Sequence, residues 1–540
     1  MPWKQVIYPF DSLLVSLIIA ALPIVFIFWA LVISKMKGYQ AAVITTLITI
    51  LIAIFFYQMP INLALKATAH GVLYGLFPIC WIIITAVFLF NITVKTGQFE
   101  VIKYYMGTVT ADRRLQALLI AFSFGAFLEG TAGFGTPVAI TAAMLVGLGF
   151  NPLYAAGICL IANTAPVAFG SIGIPITVAA QVSGLPEMAI SQMVGRTLPI
   201  LSLVLPFYLI VLMSGWKKAL DIWPPILVSG VSFAFFQWFT SNYLGPALPD
   251  IIAALASIIS LIIFLQFWKP KQIWRFNDEP AISANEVHHY KTSEILRALS
   301  PFIILTVMVL IWGIKPVKEY FNTWGQFNVV LSGFDGQILK GDTGEPIAQV
   351  FKLNYMSASG TAILFASLLS IVLLKVKAAM VAQIFLDTLK QLKFPIITIA
   401  SILGFAYLVN NAGISLTMAE ALSKTGWLFP FFAPVLGWLG VFITGSDTSS
   451  NALFSKLQYD TATSIGVDPV VTVGANISGG VVGKMISPQS IAVAAAAGNL
   501  VGKESELFRF TLKHSFILLI LICLITLLQA YVFTWIIPGS

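Results

Sequence analysis

Phe127-Leu128-Glu129-Gly130-Thr131-Ala132-Gly133-Phe134-Gly135-Thr136-Pro137 interrupts a long apolar run with glycines, hydroxyls and one carboxylate. About 315 residues on, Phe442-Ile443-Thr444-Gly445-Ser446-Asp447-Thr448-Ser449-Ser450-Asn451 does the same. Lipid cannot hydrogen-bond an opened backbone, so irregular polar chain at membrane depth survives only inside protein or beside a water-filled cavity. A matched pair of such breaks is the sequence mark of a binding site between two structural repeats.

The surrounding chain requires a membrane. Of 540 residues, 58% are hydrophobic and 10% charged, against the roughly 25% charged of a soluble domain. Runs of roughly 20 apolar residues, enough to cross about 30 Å of hydrocarbon, recur from Leu13 almost to the end. The expected fold is an all-α polytopic membrane protein of about 12 transmembrane helices plus two re-entrant hairpins. The spans are placed near 13–33, 41–57, 71–94, 152–183, 197–215, 222–241, 248–267, 298–314, 359–374, 394–411, 468–497 and 514–536, with hairpins at 115–150 and 427–465. The first span follows only Lys4 and has no small-residue cleavage pattern after it, so it is read as retained.

The net charge of +8 is not a nucleic-acid signal, because the basic residues fall in short clusters between spans. Lys35/Lys37, Lys95/Lys103/Arg113/Arg114, Lys217/Lys218, Lys269/Lys271/Arg275, Lys291/Arg297, Lys375/Lys377, Lys390/Lys393 and Lys503/Arg509/Lys513 all fall on one side if both broken segments enter and leave by the same face. The positive-inside rule makes that side cytoplasmic and puts both termini outside. Each broken segment, at 36–39 residues, reads as two half-crossing helices and a turn.

Three regions follow: a first repeat over 1–218, a connecting pair and cytoplasmic linker over 219–297, and a second repeat over 298–540. Val94-Lys95-Thr96-Gly97 parallels Val409-Asn410-Asn411-Ala412-Gly413, and Asn151-Pro152 parallels Asp468-Pro469. Asn163, Gly170 and Pro175 recur as Asn476, Gly483 and Pro488 at a constant offset of 313. A basic connector at 95–114 faces a nearly uncharged one at 412–426, so the repeats are read as inverted, with broken helices at the midplane. The loop 315–358 is extracellular on this reading, with an Asp335-Gly336 turn between strand-like runs as a small β-hairpin. Ala378 to Lys393 reads as an interfacial helix.

Glu129 and Asp447 are the proton-coupling candidates, since an ionisable group inside a membrane is functional by default. Substrate-binding candidates are Thr131, Gly133, Gly135, Asn163, Thr164, Ser446, Thr448, Asn451, Asn476 and Lys484. The glycines allow close backbone approach. Asn163-Thr164-Ala165-Pro166 and Asn476-Ile477-Ser478-Gly479-Gly480 read as helix breaks, whose freed N–H groups favour a carboxylate. Lys484 is the counter-charge for that carboxylate or the partner of Glu129 or Asp447, and Lys456 is expected to snorkel outward. Cys80, Cys159 and Cys523 are isolated in apolar runs, and His70, His288, His289 and His514 lack companions at ligand spacing, so no metal and no cofactor is assigned. No phosphate-cradling Gly-x4-Gly-Lys-Ser/Thr loop is present, which argues against direct ATP coupling.

Through Glu129-Gly130-Thr131-Ala132-Gly133-Phe134-Gly135-Thr136-Pro137 and its continuation to Asn163-Thr164-Ala165-Pro166-Val167-Ala168-Phe169-Gly170, the chain resembles the lactate permease family of bacteria. Ser446-Asp447-Thr448-Ser449-Ser450-Asn451 and Ser487-Pro488-Gln489 extend the resemblance into the second half. It implies a secondary active transporter in the cytoplasmic membrane that takes up L-lactate, with D-lactate or glycolate, by proton symport. The residues alone leave open a sodium-coupled carboxylate carrier, an intramembrane enzyme using Glu129 and Asp447 as acid and base, and a channel or sensor.

Overall fold

The computed structural model describes the chain apart from Met1, Asp11, Lys35, 134–135, 277–289, Asp342, 501–502 and Ser540. Gly135, His288 and His289 therefore lie outside the described residues.

Apolar runs make the first-half helices α1 (Leu13–Phe28), α2 (Gly38–Phe55) and α3 (Ile61–Tyr74), the last continuing through a π-helical turn into α4 (Trp81–Lys95). The amphipathic α5 (Gln98–Thr108) follows, then the first broken segment: α6 (Arg113–Gln116), a π-helical stretch Ala117–Phe124, α7 (Gly125–Thr131) and, after the tip, α8 (Thr136–Gly147). Next come α9 (Pro152–Ala162), α10 (Gly170–Ser183) and α11 (Glu187–Ser214), with the short α12 (Trp216–Leu220) leading to the connecting pair α13 (Trp223–Tyr243) and α14 (Pro249–Phe267).

The second half repeats the order. After α15 (Thr292–Gly313), α16 (Lys315–Gly325) and α17 (Ser359–Leu374) comes α18 (Ala378–Ala412), then α19 (Ile414–Ser423). The second broken segment is α20 (Phe429–Thr444) and α21 (Asp447–Ile465), followed by α22 (Pro469–Lys484), α23 (Pro488–Ala497) and α24 (Glu504–Tyr531). Every predicted span lies on a helix, and among the described residues ten helices are by themselves long and apolar enough to cross a membrane, eleven with the bent pair α9–α10.

The repeated sequence signals have matching local causes. Gly97 (φ 75°) and Gly413 (φ 85°) adopt the left-handed backbone that starts α5 and α19. Asn151 and Asp468 each accept an N–H two residues on, with proline in the first turn, so α9 and α22 begin with the same cap. The halves also exchange partners. α1 packs on α19 and α15 on α5; α2 packs on α18 and α17 on α4; α10 packs on α21 and α23 on α8.

Four expectations change. Ala378 to Lys393 is no separate interfacial helix: it is the first half of the 35-residue α18, because Pro395 is accommodated without ending the helix. One limb of the second broken segment is longer than a half-crossing, Gly426–Thr444 being a 19-residue apolar stretch able to cross alone, whereas α8 is 12 residues long. Asn476 to Gly480 does not break its span, since α22 is continuous to Lys484 and the interruption falls at 485–487. The strand-like runs flanking Asp335-Gly336 do not pair with each other. Instead Phe327–Val330 pairs antiparallel with Val350–Leu353, and Ile338–Leu339 pairs parallel with Trp3–Lys4 at the N-terminus. The N-terminal segment thus joins the face bearing that loop, where Gln5 Nε2 also donates to the Asn410 carbonyl at 2.7 Å.

The glycines of α22 serve close packing. A Cβ on Gly479 would stand 1.9 Å from the Pro434 carbonyl oxygen, one on Gly483 2.4 Å from that of Trp438, and one on Gly437 of α20 1.8 Å from that of Asn476. Small residues let membrane helices approach backbone to backbone where no hydrophobic force drives them together. Gly479→Ala should force α20 and α22 apart and cost about 1–3 kcal/mol, read as a lower midpoint in thermal unfolding of the detergent-solubilised protein. Gly38→Ala, with nothing within 4 Å of the new Cβ, should leave that midpoint unchanged.

Candidate functional site

The first limb of the broken segment, 113–131, runs antiparallel along α14. At its base Asp112 caps α6 and grips Arg114 through two contacts, Oδ1 to Nε at 3.0 Å and Oδ2 to Nη2 at 2.7 Å. Arg114 also donates to the carbonyls of Lys218 (2.7 Å) and Gln272 (3.2 Å). Midway, Ser123 and Ser257 share a hydrogen bond of 2.8 Å. At the top Gly130 lies so close to α14 that a Cβ there would stand 2.7 Å from Cβ of Asp250. This alignment fixes the height of Glu129, level with the first turn of α14.

Between the tips lies a cavity of about 70 Å³ lined by Glu129, Ser171, Ser446, Asp447, Lys484 and Ser490, among others. A single water needs about 10–15 Å³ on such a measure, so the space suits a molecule of a few heavy atoms. Lys484 Nζ lies 2.6 Å from Glu129 Oε1. Asn163 Nδ2 donates to Glu129 Oε2 at 2.9 Å. The carboxylate is therefore held at both oxygens, and a Cβ on Gly170 would stand 2.7 Å from Oε1, leaving room for nothing larger than glycine beside it.

Two helices begin at this cavity. Ser446 caps α21 by accepting from the Ser449 N–H, and Ser487 caps α23 by accepting from the Ser490 N–H. Asp447, Thr448, Gln489 and Ser490 in those first turns line the space. The positive ends of two helix dipoles and the Lys484 ammonium thus face a single small cavity, an arrangement that attracts a carboxylate. Asp447 is 3% exposed and neither of its oxygens has a hydrogen-bond partner.

The predicted residues separate into groups. Glu129, Asp447, Ser446, Thr448 and Lys484 line the cavity, and Asn163 holds Glu129 from behind. Thr131 donates to the Phe127 carbonyl of its own helix, and Thr164, in the break after α9, donates to the Ile161 carbonyl. Gly133 (φ 57°) brings the first tip against Ser171, whose Oγ would stand 1.9 Å from an added Cβ. Asn451 and Asn476 hydrogen-bond each other at 2.9 Å, with Asn451 also donating to the Pro175 carbonyl at 3.2 Å. They tie α21, α22 and α10 together without lining the cavity. Lys456 pairs with Asp460 at 2.6 Å.

The sequence reading missed Ser171, Gln489, Ser490 and Asp250. Ser171 had a usable signal: the 313-residue offset that matches Gly170 to Gly483 matches Ser171 to Lys484. It lies where the backbone unwinds, with φ positive from Ser171 to Gly173, just before Pro175. The second copy unwinds at the equivalent place, before Pro488. The first copy alone has a further break at 163–166, where α9 and α10 bend by 61°.

Removing Lys484 strands a buried carboxylate, so Lys484→Met should destabilise the protein by up to about 3–5 kcal/mol. The double variant Glu129→Gln/Lys484→Met should recover most of that loss, measured as thermal unfolding midpoints of wild type, Lys484→Met, Glu129→Gln and the double variant in one detergent.

A family profile described as L-lactate permease matches residues 16–533 of this chain. The L-lactate permease of Bacillus subtilis (strain 168) is 54% identical over 564 aligned residues, covering 100% of both chains. The L-lactate permease of Salmonella typhimurium is 52% identical over 99% of this chain and 100% of that one. Glycolate permease GlcA of Escherichia coli (strain K12) is 52% identical over 98% of this chain and 99% of that one. Among solved structures, MtrF of Neisseria gonorrhoeae, described with a class of antimetabolite efflux pumps, aligns at a TM-score of 0.46 and 13% identity over 87% of this chain and 84% of that one. That structural likeness carries no functional argument, whereas the sequence matches run the length of the chain. The protein is a multi-pass membrane permease and belongs to the L-lactate permease family.

Proposed function

We propose that this chain takes up L-lactate and related 2-hydroxymonocarboxylates, glycolate and D-lactate among them, across the cytoplasmic membrane by proton symport. The relatives' names, L-lactate permease and glycolate permease, supply the substrate class. The observation that carries the mechanism is the Glu129–Lys484 pair at the edge of a cavity that two helix N-termini already make attractive to an anion.

A substrate carboxylate and Glu129 compete for one ammonium. When the substrate takes Lys484, an ionised Glu129 is left buried without its counter-ion, a state that costs several kcal/mol. Glu129 escapes that cost by taking a proton. Each anion bound at Lys484 then brings one proton onto Glu129; in net transport release reverses both events, and in exchange one anion replaces another while the proton stays on Glu129. The substrate hydroxyl has Ser446, Thr448 and Ser490 within the same cavity as partners.

The reciprocal packing of the two halves supports reading them as inverted repeats over 1–218 and 298–540, joined by 219–297, with the site between them and exposed alternately to each side. The basic clusters support a cytoplasmic face opposite the termini and the 315–358 loop.

In proteoliposomes, labelled L-lactate uptake should be saturable, should show counterflow, and should follow an imposed inward proton gradient at about one proton per lactate, as the exchange at Lys484 requires. Uptake that follows a sodium gradient and ignores pH would overturn the coupling. Glu129→Gln mimics the protonated acid and frees Lys484 permanently, so it should keep lactate counterflow and lose gradient-driven accumulation. A Glu129→Gln protein that still concentrates lactate against a gradient would remove Glu129 from the coupling step.

A further inference from the structure

Asp250 is a carboxyl the mechanism above does not use. It sits in the first turn of α14, is 1% exposed, and neither of its oxygens has a hydrogen-bond partner. It stands against Gly130, the residue after Glu129, and within electrostatic reach of both Glu129 and Lys484. The other elements on α14 offer it nothing charged: α10, Ala117–Phe124 and α13 contain no Asp, Glu, Lys, Arg or His, and the Tyr243 at the end of α13 is exposed. Asp250 therefore faces one carboxylate and one ammonium that already neutralise each other.

A carboxyl buried in that setting has no counter-charge of its own, so it is accommodated as the neutral acid. Its position gives that proton a use. The 244–248 turn before α14 lies at the opposite end of the helix from Lys269 and Lys271, which puts it on the outer face by the positive-inside rule. The turn reaches the unwound stretch of α10, where a Cβ on Gly173 would stand 2.3 Å from the Pro246 carbonyl oxygen. Asp250 is thus the buried acid between that turn and Glu129.

We propose that Asp250, set against the first tip beside Glu129, is the proton relay through which Glu129 is charged from the outer side. The inference rests on the symport reading above. When substrate draws Lys484 away, the freed Glu129 oxygen turns to Asp250, the O–H bond of the Asp250 acid breaks and the proton bonds to the Glu129 carboxylate. Asp250, now ionised, takes a replacement proton from water on the side of the 244–248 turn. One proton enters for each one passed on, and no other reactant is needed. Asp250 acts through Glu129, so it is a positioning and delivery residue that does not contact the substrate.

The test compares Asp250→Asn and Asp250→Glu with wild type in proteoliposomes. Lactate counterflow, which needs no net proton movement, is measured beside net uptake driven by a pH gradient. Asp250→Asn keeps the shape and cannot pass a proton, so counterflow should stay near wild type while the initial rate of pH-driven uptake falls at least about tenfold. The accumulation finally reached should be preserved, because Glu129 still sets the stoichiometry. Asp250→Glu changes the shape and keeps the acid, and should recover most of the net rate.

Wild-type net uptake by Asp250→Asn would overturn the relay. So would loss of its counterflow in protein that still elutes as a folded monodisperse peak, since Asp250 would then serve binding or packing. An Asp250→Glu protein that exchanges lactate normally yet stays slow in net uptake would assign the effect to shape, and a sodium dependence abolished by Asp250→Asn would make Asp250 a cation ligand; both overturn it. Absence of lactate counterflow in wild type would instead defeat the substrate reading, before any Asp250 variant is compared.

Discussion

One ammonium and one carboxylate 355 residues apart in the chain meet at 2.6 Å inside the membrane-embedded core. Glu129 stands on α7 in the first half and Lys484 at the end of α22 in the second, so the contact exists only when both halves are assembled in register. Neither charge could remain there alone, because an unpaired ion in a desolvated site costs several kcal/mol. The pair is also the place where a third charge can intrude. A small anion entering the cavity must compete for the ammonium, and the displaced carboxylate must be neutralised. In the proposed symport, the interaction that satisfies burial of both charges is the exchange point between substrate and proton.

Everything around the pair serves its placement. The Asp112–Arg114 clamp at the base and the Ser123–Ser257 bond midway hold the first limb alongside α14, antiparallel to it, which sets the height of Glu129. On the other side, glycines bring α20 and α22 into backbone contact and so fix Lys484 against the second tip. Asn451 and Asn476 spend their amides on each other and on the Pro175 carbonyl, joining α21, α22 and the end of the unwound stretch of α10. Buried amides in a membrane core are more economically satisfied by one another than by a transient ligand. That is why these two asparagines, polar and deep, lie behind the cavity wall.

Composition and periodicity were sufficient for the class of fold, because a 20-residue apolar run has few alternatives to a spanning helix. The caps appeared in the sequence only as matched pairs, and the structure gives each its local role. Asn151-Pro152 and Asp468-Pro469 begin helices, and Gly97 and Gly413 turn them, since each depends on the residue and its immediate neighbours. The carboxylates at the two tips were legible because lipid excludes charge, so Glu129 and Asp447 stood out without any knowledge of their neighbours. Asp250 did not, because an acid after proline at a helix start is also what an ordinary helix N-terminus contains.

Tertiary structure alone decided what the glycines and lysines do. Gly479-Gly480 in sequence is as compatible with an opened helix as with a close crossing, and only the presence of α20 at backbone distance selects the crossing. Lys484 had Glu129, Asp447 and a ligand as possible partners, a choice that depends on distances between segments hundreds of residues apart. The sequence by itself determined that this chain crosses the membrane many times, with carboxylates where lipid forbids them. Which carboxylate holds the ammonium, where the helices unwind and which polar groups face the cavity were settled by packing, because those outcomes depend on differences between contacts that no local stretch of chain encodes.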